Sequence, residues 1–524
     1  MVHRGKLSAA CGPCRSRRLK CDHRRPSCSQ CIRAKRECSG YRDISSRRFF
    51  DQTEEVKRKN SPSFSSSSSP SSPSTLTSSS HSSQLPPRQQ ISSRSNPCLQ
   101  QQVSIPLRDQ GAAFALSRYL TRSVGNNLPS ILNTPSARAA TASINAVGLA
   151  ALSNIHQSPQ LMFTARQEYG SALAETNAAL SDPRQATSDA SLIAVTFLGI
   201  FEIMVCDGTS LMGKFVKHMD GCSRIIQLRG SQQLEDPIGV GLFTLSRRNI
   251  VLGNFWLKRS TPPWLVQWSH KAFTYRLEAD DMGVDDALFL LMSRVGDLCA
   301  SLKNGVLIEP AKLVKRALKL DAELAAWAKS FKLTRGYTVV TVPEPVGEIA
   351  GHGKNISPFQ HIYGNHYHIY PDTVISACWS DYRFVHLLLL GVLGWIAGHL
   401  SDKEDIDATR RSEYRETVEY STMLSQQLSD DVCASVPYHF GATETSSQED
   451  WSSSRTGGMI RLLWPLFLAA ERDGVTQETR DWIADTLFRV GYGVGIRQAL
   501  VMSNLLRYES PLSWLPELVA RVES

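Results

Sequence analysis

The first ten residues, MVHRGKLSAA, lack an apolar stretch of the signal-peptide type, so a soluble intracellular chain is expected. Long apolar runs are scarce as well. The longest, FVHLLLLGVLGWIAGHL at 384–400, has 17 residues and carries His386 and His399. That is short and wet for a membrane span; a buried core helix is expected, and no membrane partner. Alternating β-type runs are few, and GYTVVTVP at 336–343 is the best of them. The sequence has no G-x-S-x-G, no H-E-x-x-H, no P-loop and no Rossmann fingerprint, which removes those enzyme classes. No catalytic residue is assigned and the chain is not expected to be an enzyme. Acidic residues are sparse at one end only. Residues 1–60 hold 6 Asp/Glu against 17 Lys/Arg, while the other 464 hold 43 against 41. The net charge of +9 therefore comes from the N-terminus, the asymmetry of a polyanion-binding module on a near-neutral body.

Cysteine is nearly missing from most of the chain. Cys98, Cys206, Cys222, Cys299, Cys378 and Cys433 stand singly and read as core residues or inert thiols. The other six of the 12 fall within 28 residues, CGPCRSRRLKCDHRRPSCSQCIRAKREC at 11–38. The spacing is C-x2-C-x6-C-x6-C-x2-C-x6-C, two near-copies joined by DHRRPS. Three disulfides in so short a span would suit a secreted miniprotein, to which nothing else points. A redox C-x-x-C would need a βαβ pattern beside it, and none is seen. Structural zinc fits: thiolates are preferred ligands, and such zinc is four-coordinate and tetrahedral. One ion would leave two cysteines idle. Two Zn²⁺ need eight ligand positions from six sulfurs, so two thiolates must bridge. Cys11 and Cys28, the equivalent first cysteines of the halves, are the expected bridges, with Cys14, Cys21, Cys31 and Cys38 completing the set.

This segment resembles the zinc binuclear cluster of fungal transcription factors. All six cysteines match, as do the basic run between the second and third and Pro26 before the fourth. GYRD at 40–43 and FFDQTEEVKRKN at 49–60 resemble one branch of that family. The resemblance implies a short helix after Cys14 that enters the DNA major groove. Arg17 and Arg18 match the basic pair that reads a CGG triplet in the family, and arginine suits bidentate contact with guanine. Arg15, Lys20, Arg24, Arg33 and Lys35 would meet phosphates, which makes binding salt-sensitive. A triplet recurs about every few tens of base pairs, so a second half-site read by a homodimer is the usual remedy. Residues 47–60 are too short for a coiled coil, leaving dimerisation through the body or monomeric binding with arm contacts open. Lys57, Arg58 and Lys59 read as a nuclear import signal.

The expected organisation is an 11–38 DNA-binding cluster, a 39–60 basic segment, a disordered Ser/Pro/Gln-rich linker at 61–105, and an all-α regulatory domain at 106–524. Residues 61–97 hold 18 serines and 6 prolines, too few apolar groups to offset chain entropy. In the body, Leu313, Ala317, Leu320, Leu324 and Trp327 follow Pro310 at helical spacing, and Ile483, Leu487, Val490 and Val494 repeat the pattern. Ten or more helices are expected, with loops near 231–238, 343–358 and 440–457. SLIAVTFLGIFEIMV at 191–205, HMDGCSRIIQLRG at 218–230, YHIYPDTVISACWSDYRFVHLLLL at 367–390, DVCASVPYHFG at 431–441 and LLWPLFLAA at 462–470 resemble the fungal regulatory region that accompanies such clusters. That implies regulation and contact with transcription machinery or co-regulators.

GYGVG at 491–495 reads as close helix packing, and His361, His366 and His368 as ordinary hydrogen-bonding residues. His218 reads as a satisfied core histidine, and Trp379, Trp395, Trp464 and Trp482 as core. The expected function is a nuclear, zinc-dependent regulator of RNA polymerase II genes, with control of a metabolic or secondary-metabolite gene cluster as an association of the family. The alternative is a zinc-clipped adaptor for RNA or protein, or an enzyme with a structural zinc module.

Overall fold

The computed structural model describes residues 11–17, 21–22, 24, 27–38, 106–119, 128–134, 137–208, 212–278, 286–303, 309–342, 362–443 and 458–508. It separates into two compact units, Met1–Leu99 and Gln100–Ser524. Among its described residues the small unit has two one-turn helices, α1 (Gly12–Ser16) and α2 (Ser29–Arg33). The described residues of the large unit are mainly helical. Its first group is α3 (Leu107–Tyr119), α4 (Leu128–Leu132), α5 (Ala137–His156), α6 (Pro159–Ser181), α7 (Pro183–Ala186), α8 (Asp189–Met204) and α9 (Gly213–Arg229). Next come α10 (Pro237–Leu257), α11 (Pro263–Glu278), α12 (Asp286–Lys303) and α13 (Pro310–Arg335). A hairpin of β1 (Thr338–Thr341) and β2 (His366–Ile369) leads to α14 (Thr373–Ser401), α15 (Ala408–His439), α16 (Met459–Glu471), α17 (Gln477–Val494) and α18 (Arg497–Tyr508).

Local chemistry sets many of these boundaries. Ser158, Ser188, Asp236, Asp372, Asp407 and Thr476 cap α6, α8, α10, α14, α15 and α17 by accepting from first-turn amides. Proline opens α6, α10 and α13, where a missing N–H costs nothing. Lys258 ends α10 in the left-handed region.

The core runs through both halves of the body. α5 packs on α3, α6 and α8, and α14 packs on α12, α13, α15 and α16. α14 is long and apolar enough to cross a membrane, but 72% of its apolar window is buried within the protein, as a core helix requires. Its two histidines are accommodated separately. His386 is buried, with Nε2 2.7 Å from Asp321 Oδ1 and Nδ1 3.0 Å from the Tyr382 hydroxyl. His399 stacks on Trp395 with ring centroids 5.4 Å apart. The predicted helix faces are buried too: Leu313, Ala317, Leu320 and Leu324 on α13, and Ile483, Leu487, Val490 and Val494 on α17.

GYGVG closes α17 by tight packing. A Cβ on Gly491 would lie 2.3 Å from Leu500, and Gly495 sits at φ +83° against the Ala151 carbonyl. Cys206, Cys222, Cys299, Cys378 and Cys433 are buried and form no disulfide, whereas Cys98 lies outside the described residues. Trp379 is buried, and Trp395, Trp464 and Trp482 pack against the core while partly exposed. His218 accepts its place through Tyr169, whose hydroxyl lies 3.3 Å from Nε2.

Some expectations need correction. The segment near 231–238 is not a loop: a 3-10 helix covers Ser231–Glu235, and Asp236 at once caps α10. The region 343–358, most of 440–457, His361 and the linker 61–105 lie outside the described residues. GYTVVTVP does contain a strand, paired antiparallel with His366–Ile369 in the register Val339–His368 and Val340–Tyr367. The partner strand has two histidines among its four residues, a poor β signal in sequence.

Candidate metal centre and nucleic-acid interface

Each half of the cluster builds the same turn: a cysteine, one turn of helix, and the second cysteine on that helix. In the second half Cys28 is the N-cap of α2 and its Sγ accepts from the Cys31 amide at 3.4 Å. Lys35, at φ +48°, then turns the chain so that the Arg36 amide bonds to the Cys31 carbonyl at 3.0 Å. The Asp22 carboxylate accepts from the backbone N–H of Ser29 at 3.1 Å and from its hydroxyl, tying the linker to the second helix. The Ser29 hydroxyl and amide hold the Asp22 carboxyl below the usual range. In the sequence, the signal for this role of Asp22 is its place beside Cys21.

The six sulfurs fall into two groups of four: Cys11, Cys14, Cys21, Cys28, and Cys11, Cys28, Cys31, Cys38. Within each group the ligand atoms lie within 4.8 Å of one another, and Cys11 and Cys28 are in both. Cys11 Sγ is 3.6 Å from Cys28 Sγ and 3.7 Å from Cys31 Sγ, and Cys14 Sγ is 3.6 Å from Cys28 Sγ. A disulfide needs about 2.05 Å, so these are not disulfides. Zn–S bonds of about 2.3 Å in a tetrahedron put sulfurs about 3.8 Å apart, close to what is seen. Cys11, Cys14, Cys28 and Cys31 are buried, and Cys21 and Cys38 half-buried. The donor set and its spacing thus fit zinc.

The thiols do not share one protonation tendency. Burial pushes the Cys14 thiol well up and, aided by the Cys28 thiol, the Cys31 thiol to about 12. Burial would raise Cys28 too, but bonds from the Cys31 amide and from the Cys31, Cys14 and Cys11 thiols outweigh it and bring Cys28 to about 6. Such crowding favours few thiolates unless a cation compensates them, and metal binding then displaces the remaining protons.

Arg17, Arg24, Arg33 and Lys35 are exposed. Arg36, which the sequence reading passed over, is exposed beside them. The helix expected after Cys14 instead contains it, spanning Gly12–Ser16, because the turn that presents Cys14 is itself the helix. Arg15 lies on it and Arg17 in the turn that follows. Arg18, Lys20 and Lys57–Lys59 lie outside the described residues.

Residues 9–48 match the Fungal Zn(2)-Cys(6) binuclear cluster domain, and residues 127–334 the Fungal specific transcription factor domain. The chain is 54% identical over 40 residues to White-opaque regulator 2 of Candida albicans, covering 8% of this chain and 9% of that protein. It is 50% identical over 38 residues to an uncharacterized transcriptional regulatory protein of Schizosaccharomyces pombe, 7% of each. These two matches span less than a tenth of either relative. A longer likeness, 20% identical over 362 residues, joins it to Transcription factor dbaG of Emericella nidulans, covering 65% of this chain and 76% of that protein. No solved structure matches the chain. The chain therefore carries a fungal Zn(2)-Cys(6) cluster domain at its N-terminus and the fungal specific transcription factor domain in its helical body.

Proposed function

We propose that the protein is a nuclear, zinc-dependent, DNA-binding transcription regulator whose cluster holds two Zn²⁺ and reads CGG-type triplets. What carries the reading is the division of six sulfurs into two groups of four that share Cys11 and Cys28. In this reading those two thiolates bridge the ions, and Cys14 with Cys21, and Cys31 with Cys38, complete the two tetrahedra. Two Zn²⁺ and six thiolates carry a net charge of −2, which the flanking cations exceed. Arg17 and Arg18 contact guanine, and Arg15, Lys20, Arg24, Arg33 and Lys35 contact phosphate and fix the register. Lys57, Arg58 and Lys59 direct nuclear import. The helical body contacts the transcription machinery or co-regulators at RNA polymerase II genes, those of a metabolic or secondary-metabolite cluster being the association the family suggests. A homodimer supplies the second half-site.

The test is binding of the full chain to CGG-containing duplex, scrambled duplex and single-stranded RNA across a salt series, with and without a zinc chelator. Expected are preference for the CGG duplex, loss on chelation, and affinity falling with salt. Arg18→Ala should cost about 1–3 kcal/mol and relax the triplet preference, whereas Arg33→Ala should weaken all duplexes alike and flatten the salt slope. Equal binding of single-stranded RNA would overturn the proposal.

A further inference from the structure

Three helices of the body bring charged residues to one apolar cleft. Arg248 comes from α10, Asp381 from α14 and Arg461 from α16. The cleft is partly open to solvent and has a cavity volume of about 100 Å³. Ile203, Phe215, Leu252, Phe384, Ile460 and Trp464 supply much of its wall. Among the described residues that line it, Asp381 is the single acidic one. It accepts from Nε and a terminal nitrogen of Arg248, and Arg461 Nη1 lies 3.5 Å from its Oδ2. The side chains of Asp381, Arg248 and Arg461 are 6%, 12% and 21% exposed.

Two guanidiniums thus share one carboxylate in a largely apolar enclosure. Fork-to-fork pairing uses Asp381 on Arg248, leaving Arg461 with a longer, less complete contact. A nearly buried net positive charge is costly, and a second carboxylate would relieve it. Burial lowers the Arg248 pKa, the Arg461 charge lowers it further, and Asp381 opposes both. Those are the physical consequences of one anion serving two cations. Tyr119, Asn249 and Gln498 add uncharged polar groups to the lining, and the charge is confined to Arg248, Asp381 and Arg461. Such a cleft suits a ligand with a mostly apolar body and one acidic end.

We propose that this cleft binds a small apolar carboxylic acid, its carboxylate on Arg461 and its body against Trp464 and Phe384. The site is independent of the metal centre and of the DNA-binding reading.

The full-length protein should be titrated with benzoate and octanoate, with benzamide and octanol as neutral counterparts, following tryptophan fluorescence and thermal unfolding. Expected are saturable binding of at least one acid and binding of its neutral counterpart weaker by about tenfold or more, the value of one charge-assisted hydrogen bond. Arg461→Gln should lose that discrimination while keeping the unfolding transition and zinc content. Leu252→Trp, which adds bulk to the apolar wall and leaves Arg248, Asp381 and Arg461 in place, should block both acid and neutral compound. If acid and neutral compound bind alike, if chloride or sulfate binds as well as the acids, or if a folded Arg461→Gln protein binds the acids unchanged, the proposal fails.

Discussion

At the residue scale, Cys28 combines several roles. It caps α2, lies in both sulfur groups, and its thiol is brought down to about 6 by bonds from its cysteine neighbours against the effect of burial. Cys28→Ser is expected to lower the zinc content of the full chain further than Cys38→Ser, which touches one group; native mass spectrometry measures the difference. In the body, the buried Arg247 side chain pairs with the buried Asp286 carboxylate and lies over the Phe289 ring at 4.5 Å. Asp286→Asn should destabilise by about 3–5 kcal/mol, since it removes the buried negative charge paired with Arg247, and urea unfolding reads this directly.

His368 gives a pH-dependent case. Arg383 reaches its Nδ1 at 3.3 Å, Tyr370 lies at the same nitrogen, and Asp431 is 3.6 Å from Nε2. An arginine donor leaves Nδ1 only an acceptor role, so the ring is neutral with its proton toward Asp431. Burial, then Arg383, His366 and Lys332, pull the pKa down to about 2. The unfolded ring titrates near 6.5, so below that pH the unfolded state binds a proton that the folded state refuses. Stability is intact above pH 6.5 and falls as pH drops below it, by at most about 1.4 kcal/mol per unit from this residue. Urea unfolding at pH 7.5 and 5.5 should show the drop, and His368→Gln should reduce it.

At the scale of elements, contacts between helices depend on residues that carry no side chain. A Cβ on Gly148 of α5 would fall 1.8 Å from the Gly111 carbonyl of α3. Gly148→Ala should therefore force these helices apart and cost about 1–3 kcal/mol, visible as a lower melting temperature. The helices themselves were legible, because caps and 3.6-residue periodicity are local. The short hairpin was half legible. Val339 and Val340 announce a strand, but their partners His368 and Tyr367 stand 27 or more positions later in a segment with no alternating pattern. The extra turn at Ser231–Glu235 escaped notice because a polar stretch before Pro237 looks like a connection.

At the scale of the molecule, the metal centre and the helical body form separate compact units. Chelation of the full chain is expected to abolish DNA binding yet leave the far-UV circular dichroism nearly unchanged, since the described residues of the cluster contribute two one-turn helices against the long helices of the body. A large loss of helical signal would contradict that independence. By itself the sequence determined the cluster and the helical class. Thiolate spacing in a short segment is chemistry between near neighbours, and helix periodicity is likewise local. Only the tertiary structure decided how Arg248, Asp381 and Arg461 meet, across separations of 133 and 80 residues. No local pattern encodes such an encounter; it arises when apolar faces distant in the chain are packed together, carrying their charged neighbours with them.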